Sequence, residues 1–158
     1  MIAEAVSPAA LAHVSNHFAF DLTVPVAQAA PMFGPTGERA WAGPHWTPSF
    51  LYPASGHDVE GAVFTVPHGP VTSVWVNTLF DLAGGRMQYV CLLPDVMAAS
   101  IDVRLTPAPA GSHVEVTYTR TALRAESNAT VEAMGEKDRG SGPEWQAAIS
   151  RALGTVLP

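Results

Sequence analysis

The chain has one cysteine and few charges. With Cys91 alone, an intrachain disulfide is excluded. Charged residues make up 14 % of the 158, and the eight basic ones are scattered: Arg39, Arg86, Arg104, Arg120, Arg124, Lys137, Arg139 and Arg151. The formal net charge is −6. A nucleic-acid or anionic-membrane partner requires a basic stripe to neutralise phosphates, and none is present. No apolar run approaches the roughly 20 residues that span a bilayer, so membrane insertion is not expected. The opening "MIAEAVSPAALAHV" lacks a basic start and carries Glu4 and Pro8 where a signal peptide would be apolar. The expected location is the cytoplasm. The Asn128-Ala129-Thr130 sequon then has no meaning, because glycosylation requires secretion.

What the chain does have is apolar material, 47 % of its residues. That argues against disorder and for one domain spanning 1–158, with residues 1–13 a peripheral segment. Part of the apolar material is concentrated in "GERAWAGPHWTPSFLYP", residues 37–53, which reads as neither helix nor strand yet holds Trp41, Trp46, Phe50 and Tyr52. An irregular connection this long in a compact domain usually lids a site or is disordered.

Residues 14–24 alternate, with Phe18, Phe20, Leu22 and Val24 on one parity, as in a half-buried strand. "PVAQAA" makes a short helix before Pro31 ends it. After the aromatic loop, "GAVFTV", "TSVWVNTLFD", "RMQYVCLL", "MAASIDVRLT" and "SHVEVTYTRTAL" follow one another across short turns, predicting five antiparallel strands. The period then changes. Trp145, Ala148, Ile149, Ala152, Leu153 and Val156 form one stripe of a terminal helix, and "SNATVEAMGEKD" predicts a shorter helix before it, broken off at Gly140-Ser141-Gly142. A sheet of that size needs a cover for its apolar face, and the terminal stripe supplies one. The expected class is α+β.

"GERAW...W-x-P-x-F-L-x-P" (37–53), "GAVF" (61–64), "VWVNTLFD" (74–81), "MQYV" (87–90), "VEVTYTRTAL" (114–123) and "EWQAAI" (144–149) resemble a bacterial branch of the START-like superfamily, which includes lipid carriers and polyketide cyclase/dehydratases. The resemblance covers roughly residues 16–155 and carries no catalytic signature. It implies a helix-grip fold: a curved antiparallel sheet of six to seven strands around a long C-terminal helix, with a tunnel between them for an apolar ligand. Relatives run an unbroken final helix; here Gly140 to Pro143 interrupts it.

Strand parity sorts tunnel from outer surface. It turns Ile101, Val103, Leu105, Val114, Val116 and Tyr118 inward. The less polar parity elsewhere is Val74, Val76, Thr78 and Phe80, then Met87, Tyr89, Cys91 and Leu93. The expected ligand wall is therefore Val76, Thr78, Phe80, Met87, Tyr89, Cys91, Val103, Val116 and Tyr118, with Ile149 from the helix and Trp41, Trp46 and Phe50 from the loop. Arg120 is expected at a mouth. No carboxylate or histidine belongs to this inner set, which favours binding over acid/base catalysis. The same sorting leaves Trp75, Leu79, Val90 and Leu92 on the outer face, a patch that predicts a homodimer contact.

Other residues carry a specific reading and an ordinary one. His13 and His17 have helical metal-ligand spacing, but on a strand they lie about 13 Å apart, so no metal site is expected. Cys91 lacks a basic partner for a nucleophile and reads as core. Gly84-Gly85 reads as a hairpin turn. Glu38-Arg39 reads as a local ion pair or solvated surface.

The leading expectation is a cofactor-free protein binding a lipid, polyketide or aromatic molecule, with 37–53 as gate or end-plug of its tunnel. The alternatives are an aromatic cyclase/dehydratase using tyrosines or Asn77, and an interaction module of the chaperone-regulator kind. An enzyme requires an ionisable group inside the cavity; an interaction module requires a filled interior.

Overall fold

The computed structural model describes residues 10–158; residues 1–9, most of the expected peripheral segment, lie outside the described residues. Seven antiparallel strands form one sheet in the order β1-β7-β6-β5-β4-β3-β2. They are β1 (His13–Leu22), β2 (Ser49–Tyr52), β3 (Val63–His68), β4 (Val71–Asp81), β5 (Arg86–Leu93), β6 (Met97–Ala108) and β7 (Gly111–Ala122). The five-strand meander read from the turns is β3 to β7, and β1 pairs with β7 at its far side. The helices are α1 (Val26–Ala29), α2 (Asn128–Arg139) and α3 (Gly142–Leu153).

The alternation in β1 buries Phe18, Phe20 and Leu22, with Val24 beyond it. β6 and β7 bury Ile101, Val103, Leu105, Val114 and Val116, as their parity requires. Gly85 turns the β4–β5 hairpin with φ +67°, where a side chain would also meet the Leu105 carbonyl.

β4 departs from its expected parity. Trp75 faces Cys91 and Asn77 faces Tyr89, but Leu79 pairs with Gln88 and Phe80 with Met87. Thr78 is the extra residue of a bulge, and one extra residue exchanges the faces of everything beyond it. Ser73, Trp75 and Asn77 therefore point inward, and so does Phe80. Val76 and Thr78, expected inside, face outward, while Trp75, expected outside, joins the core packing. The outer patch keeps Val90 and Leu92, both exposed, but loses Trp75.

The stretch 37–53 is more ordered than its composition predicts. Gly37–Ala40 is a 3-10 turn, and Ser49–Tyr52 is an edge strand paired with β3 across a bulge. Only Phe50 of those four is shielded, so no alternation could reveal the strand.

The C-terminal helical stretch comes as two twelve-residue helices that part at Gly140 and Ser141. Along α3, Ile149 is fully buried and Trp145 half-buried. Gly154, at φ +69°, caps the helix and turns the chain out, so Val156, expected on the stripe, is 77 % exposed. Among the described residues, no helix is long and apolar enough to cross a membrane.

Candidate functional site

Two adjoining voids lie on the concave side of the sheet. The larger, about 360 Å³, runs beneath α2 and is walled by Trp75, Cys91, Met97, Ala99, Ile101 and Met134. His68 on β3 and Lys137 on α2 are its exposed members and mark its mouth. The smaller, about 40 Å³, is lined by Glu38, Trp46, Trp75, Tyr89, Ile101, Val103, Tyr118 and Trp145. Trp75, Ile101 and Tyr118 belong to both, so they form the partition.

The segment 37–53 supplies the inner chamber's end wall, not the mouth. Trp46 donates its indole N–H to the Pro35 carbonyl at 2.9 Å and meets Trp75 edge to face, centroids 5.4 Å apart. Trp41 donates to the Met32 carbonyl at 2.7 Å and packs on Trp145 at 4.8 Å, behind the chamber. Phe50 packs on Phe64 without lining either void. The expected gate thus divides: Trp46 faces the interior, while Trp41 and Phe50 support it.

Glu38, expected as surface or a local ion pair, lines the inner chamber. Part of the residue's surface stays accessible, but its carboxyl group is enclosed, and among the described residues no hydrogen bond or counter-charge compensates it. Arg39 does not pair with it; its guanidinium donates to the Pro48 carbonyl at 2.7 Å. Burial first, and the negative charge of Asp58 second, hold the Glu38 carboxyl well above the ordinary carboxylate range. Its position is fixed by backbone. Asp58 accepts hydrogen bonds from Thr36 N and Gly37 N, and Glu38 N donates to the Gly34 carbonyl at 2.9 Å. Gly37 lies so near Pro31 that a Cβ would stand 2.0 Å from its carbonyl oxygen.

The inner tyrosines differ. Tyr89 donates to the Phe33 carbonyl at 2.7 Å, which ties the sheet to the turn before Glu38. Tyr118 has no such partner among the described residues. Burial, with Glu38 next, pushes its hydroxyl above the usual phenol range. Burial likewise pushes the Cys91 thiol up to about 11, against the pull of Arg120. A thiol so held is no nucleophile at neutral pH.

At the larger void, Arg120 sits in the wall and not at the mouth. Its Nε and Nη2 donate to the two Asp138 oxygens, its guanidinium carbon lies 4.5 Å from the centre of the Tyr118 ring, and Nη1 faces the sulfurs of Met97 and Met134. His68 shares a 2.9 Å hydrogen bond with Ser73 Oγ, which also accepts from Trp75 Nε1 at 2.8 Å. Burial and the charge of His45 lower the His68 pKa.

Of the residues expected on the ligand wall, Trp46, Tyr89, Val103 and Tyr118 line the inner chamber, and Cys91 and Tyr118 the outer void. Met87, Val116 and Ile149 are fully buried core behind those walls, and Phe80 packs partly buried against the core. Val76 and Thr78 are turned away by the bulge. Asn77 is fully buried with both amide atoms unpartnered among the described residues, but lines neither void. His13 and His17 lie on β1 beside Thr121 and Thr117.

Glu38, Trp75 and Trp145 line the voids although they lie outside the wall expected from the sequence. Trp145 was visible as part of the helical stripe; Glu38 left no periodic signal. An inner inventory without carboxylates, which weighed toward binding, is corrected by Glu38 and by Asp138 at the outer void.

No family model matches the chain, and no curated protein matches it in sequence. Solved structures do match. A Mesorhizobium loti protein shares 11 % identity at TM-score 0.66, over 89 % of this chain and 97 % of its own. Ara h 8.0201 shares 14 % at 0.58, over 92 % and 100 %. Norcoclaurine synthase of Thalictrum flavum shares 10 % at 0.63, over 90 % and 87 %. At such identities the likeness shows architecture alone: the chain has the helix-grip fold, a curved antiparallel sheet with C-terminal helices against it.

Proposed function

We propose that this is a cytoplasmic protein that binds a small hydrophobic, ring-bearing molecule between the sheet and helices α2 and α3. The observation that carries this reading is the pair of adjoining voids walled by aromatic and aliphatic side chains, about 360 Å³ and 40 Å³, reached past His68 and Lys137. Ligand pockets are of this kind: concave, mostly apolar, with a few placed polar groups. Support by likeness comes from a structure of norcoclaurine synthase in complex with dopamine and hydroxybenzaldehyde, at TM-score 0.64. An interaction module with a filled interior fits these voids poorly.

One observation favours a second reading, an enzyme of the cyclase/dehydratase type. Glu38 and Tyr118 both face the inner chamber without hydrogen-bond partners among the described residues. A carboxyl group whose pKa is raised by burial there is suited to donate a proton to a bound carbonyl.

Native mass spectrometry of the purified protein, followed by titration with N-phenylnaphthylamine, tests the binding reading. A co-purifying apolar molecule, or saturable binding of the probe, supports it. Ligand-free protein that leaves the probe unbound overturns it.

A further inference from the structure

The inner chamber combines a carboxyl group with aromatic walls, and that combination selects one class of ligand. Three features define it. First, the Glu38 carboxyl faces the void with no hydrogen bond or ion pair to it among the described residues. The nearby basic side chains are committed: Arg39 to the Pro48 carbonyl, Arg120 to both oxygens of Asp138. Second, the walls are rings set at right angles. Trp46 meets Trp75 at 85° and Tyr118 meets Trp145 at 90°, so the void is bounded by ring surfaces from several directions. Third, hydrogen-bond donors are largely withdrawn from it. Trp46 donates to Pro35, Trp75 to Ser73 and Tyr89 to Phe33. An entering group therefore meets π faces, which carry negative charge density, one carboxyl group and the Tyr118 hydroxyl.

We infer that the inner chamber is a recognition site for the ammonium group of a small organic amine, with Glu38 as counter-charge and Trp46, Trp75, Tyr118 and Trp145 as the cage. This rests on the reading that the interior binds a small molecule, and it names the chemical class. An anion would face the same charge density with unfavourable sign, and an alkyl group would leave the carboxyl group unanswered. The volume agrees: about 40 Å³ holds roughly three water-sized groups, enough for an ammonium and its first carbons. The remainder of the ligand extends past the Trp75–Tyr118 partition into the larger void.

Proton balance is simple. A neutral amine takes the Glu38 proton and becomes the ammonium; an amine already protonated in solution displaces that proton to solvent. No other bond changes. The titratable groups facing Glu38 are Asp58 from the β2–β3 connection, Tyr89 from β5 and Tyr118 from β7. None of them is a cation that could replace the ligand.

The test compares phenethylamine with phenethyl alcohol, of nearly equal size, by calorimetry and tryptophan fluorescence on the full chain. The expected result is at least tenfold tighter binding of the amine, with Glu38→Gln removing the preference while retaining the alcohol. The wild-type comparison is decisive even where the variant folds poorly. Equal affinity for both probes, or a preference that survives in Glu38→Gln, overturns the ammonium site and leaves the broader binding reading standing. Binding of neither probe overturns the ammonium site and removes support from the broader reading, which N-phenylnaphthylamine tests separately.

Discussion

Arg120 holds Asp138 through two parallel hydrogen bonds of 2.8 Å each, and with their side chains only 11 % and 9 % exposed this pair joins β7 to α2 over the larger void. Burial alone would lower the arginine's pKa; the bonds to and charge of Asp138 outweigh it and raise the value instead. Removing one partner leaves the other charge buried and unanswered. Asp138→Ala should lower stability by about 3–5 kcal/mol, measured by urea denaturation, and loosen α2 first, measured by hydrogen exchange.

Glu38 has the opposite character. Its folded-state pKa is raised, so below the unfolded glutamate value, about 4.3, both states hold the proton and the residue costs nothing. As pH climbs from there through the folded pKa, the unfolded chain releases the proton while the native one retains it, and stability falls. Glu38→Gln should therefore be more stable than wild type near neutral pH, with the difference vanishing below about pH 4. Denaturation curves of both proteins across that range check it; a difference independent of pH would contradict it.

The turn carrying Glu38 tolerates no side chain at Gly37, where a Cβ would stand 2.0 Å from the Pro31 carbonyl oxygen. Gly37→Ala should cost about 1–3 kcal/mol as an overpacking change and shift tryptophan emission by displacing Trp46. Thermal unfolding followed by fluorescence reads both.

Ala99 is buried in the wall of the larger void. Ala99→Phe places a ring in existing space, so its stability cost should stay within about 1–3 kcal/mol. Affinity for N-phenylnaphthylamine should fall tenfold or more by fluorescence titration. Unchanged affinity would place the probe elsewhere.

The terminal stripe gives a contrast along one sequence pattern. Ile149 is fully buried and Val156 is 77 % exposed. Ile149→Ala should cost about 2–5 kcal/mol. Val156→Ala should stay within about 0.5 kcal/mol, both by chemical denaturation.

These cases show what was legible in the sequence. Period-2 alternation reports burial wherever a strand keeps one register, so the inward sets of β1, β5, β6 and β7 were readable from their residues. It fails in β4, because Thr78 adds a residue without altering the composition that alternation counts. Ile149 was legible from the helical repeat; Val156 was not excluded by it, because Gly154 ends the helix through a backbone conformation that a hydrophobic pattern does not encode. Glu38 was the least legible. Its inward turn depends on Asp58, twenty residues on, gripping the backbone before it, and a long-range contact of that kind leaves no local signal. The aromatic loop drew notice for its tryptophans, yet the residue that changes the chemistry is the acid at its start.

Thr78 acts as a frame shift built into one strand. Residues before it present odd positions to the interior, and residues after it present even ones. Deleting it would force one half inside out, expelling either Trp75 or Phe80 into solvent. Length is therefore fixed at this position more strictly than residue identity, and redesign of the interior through β4 has to treat its two halves as separate strands with opposite numbering.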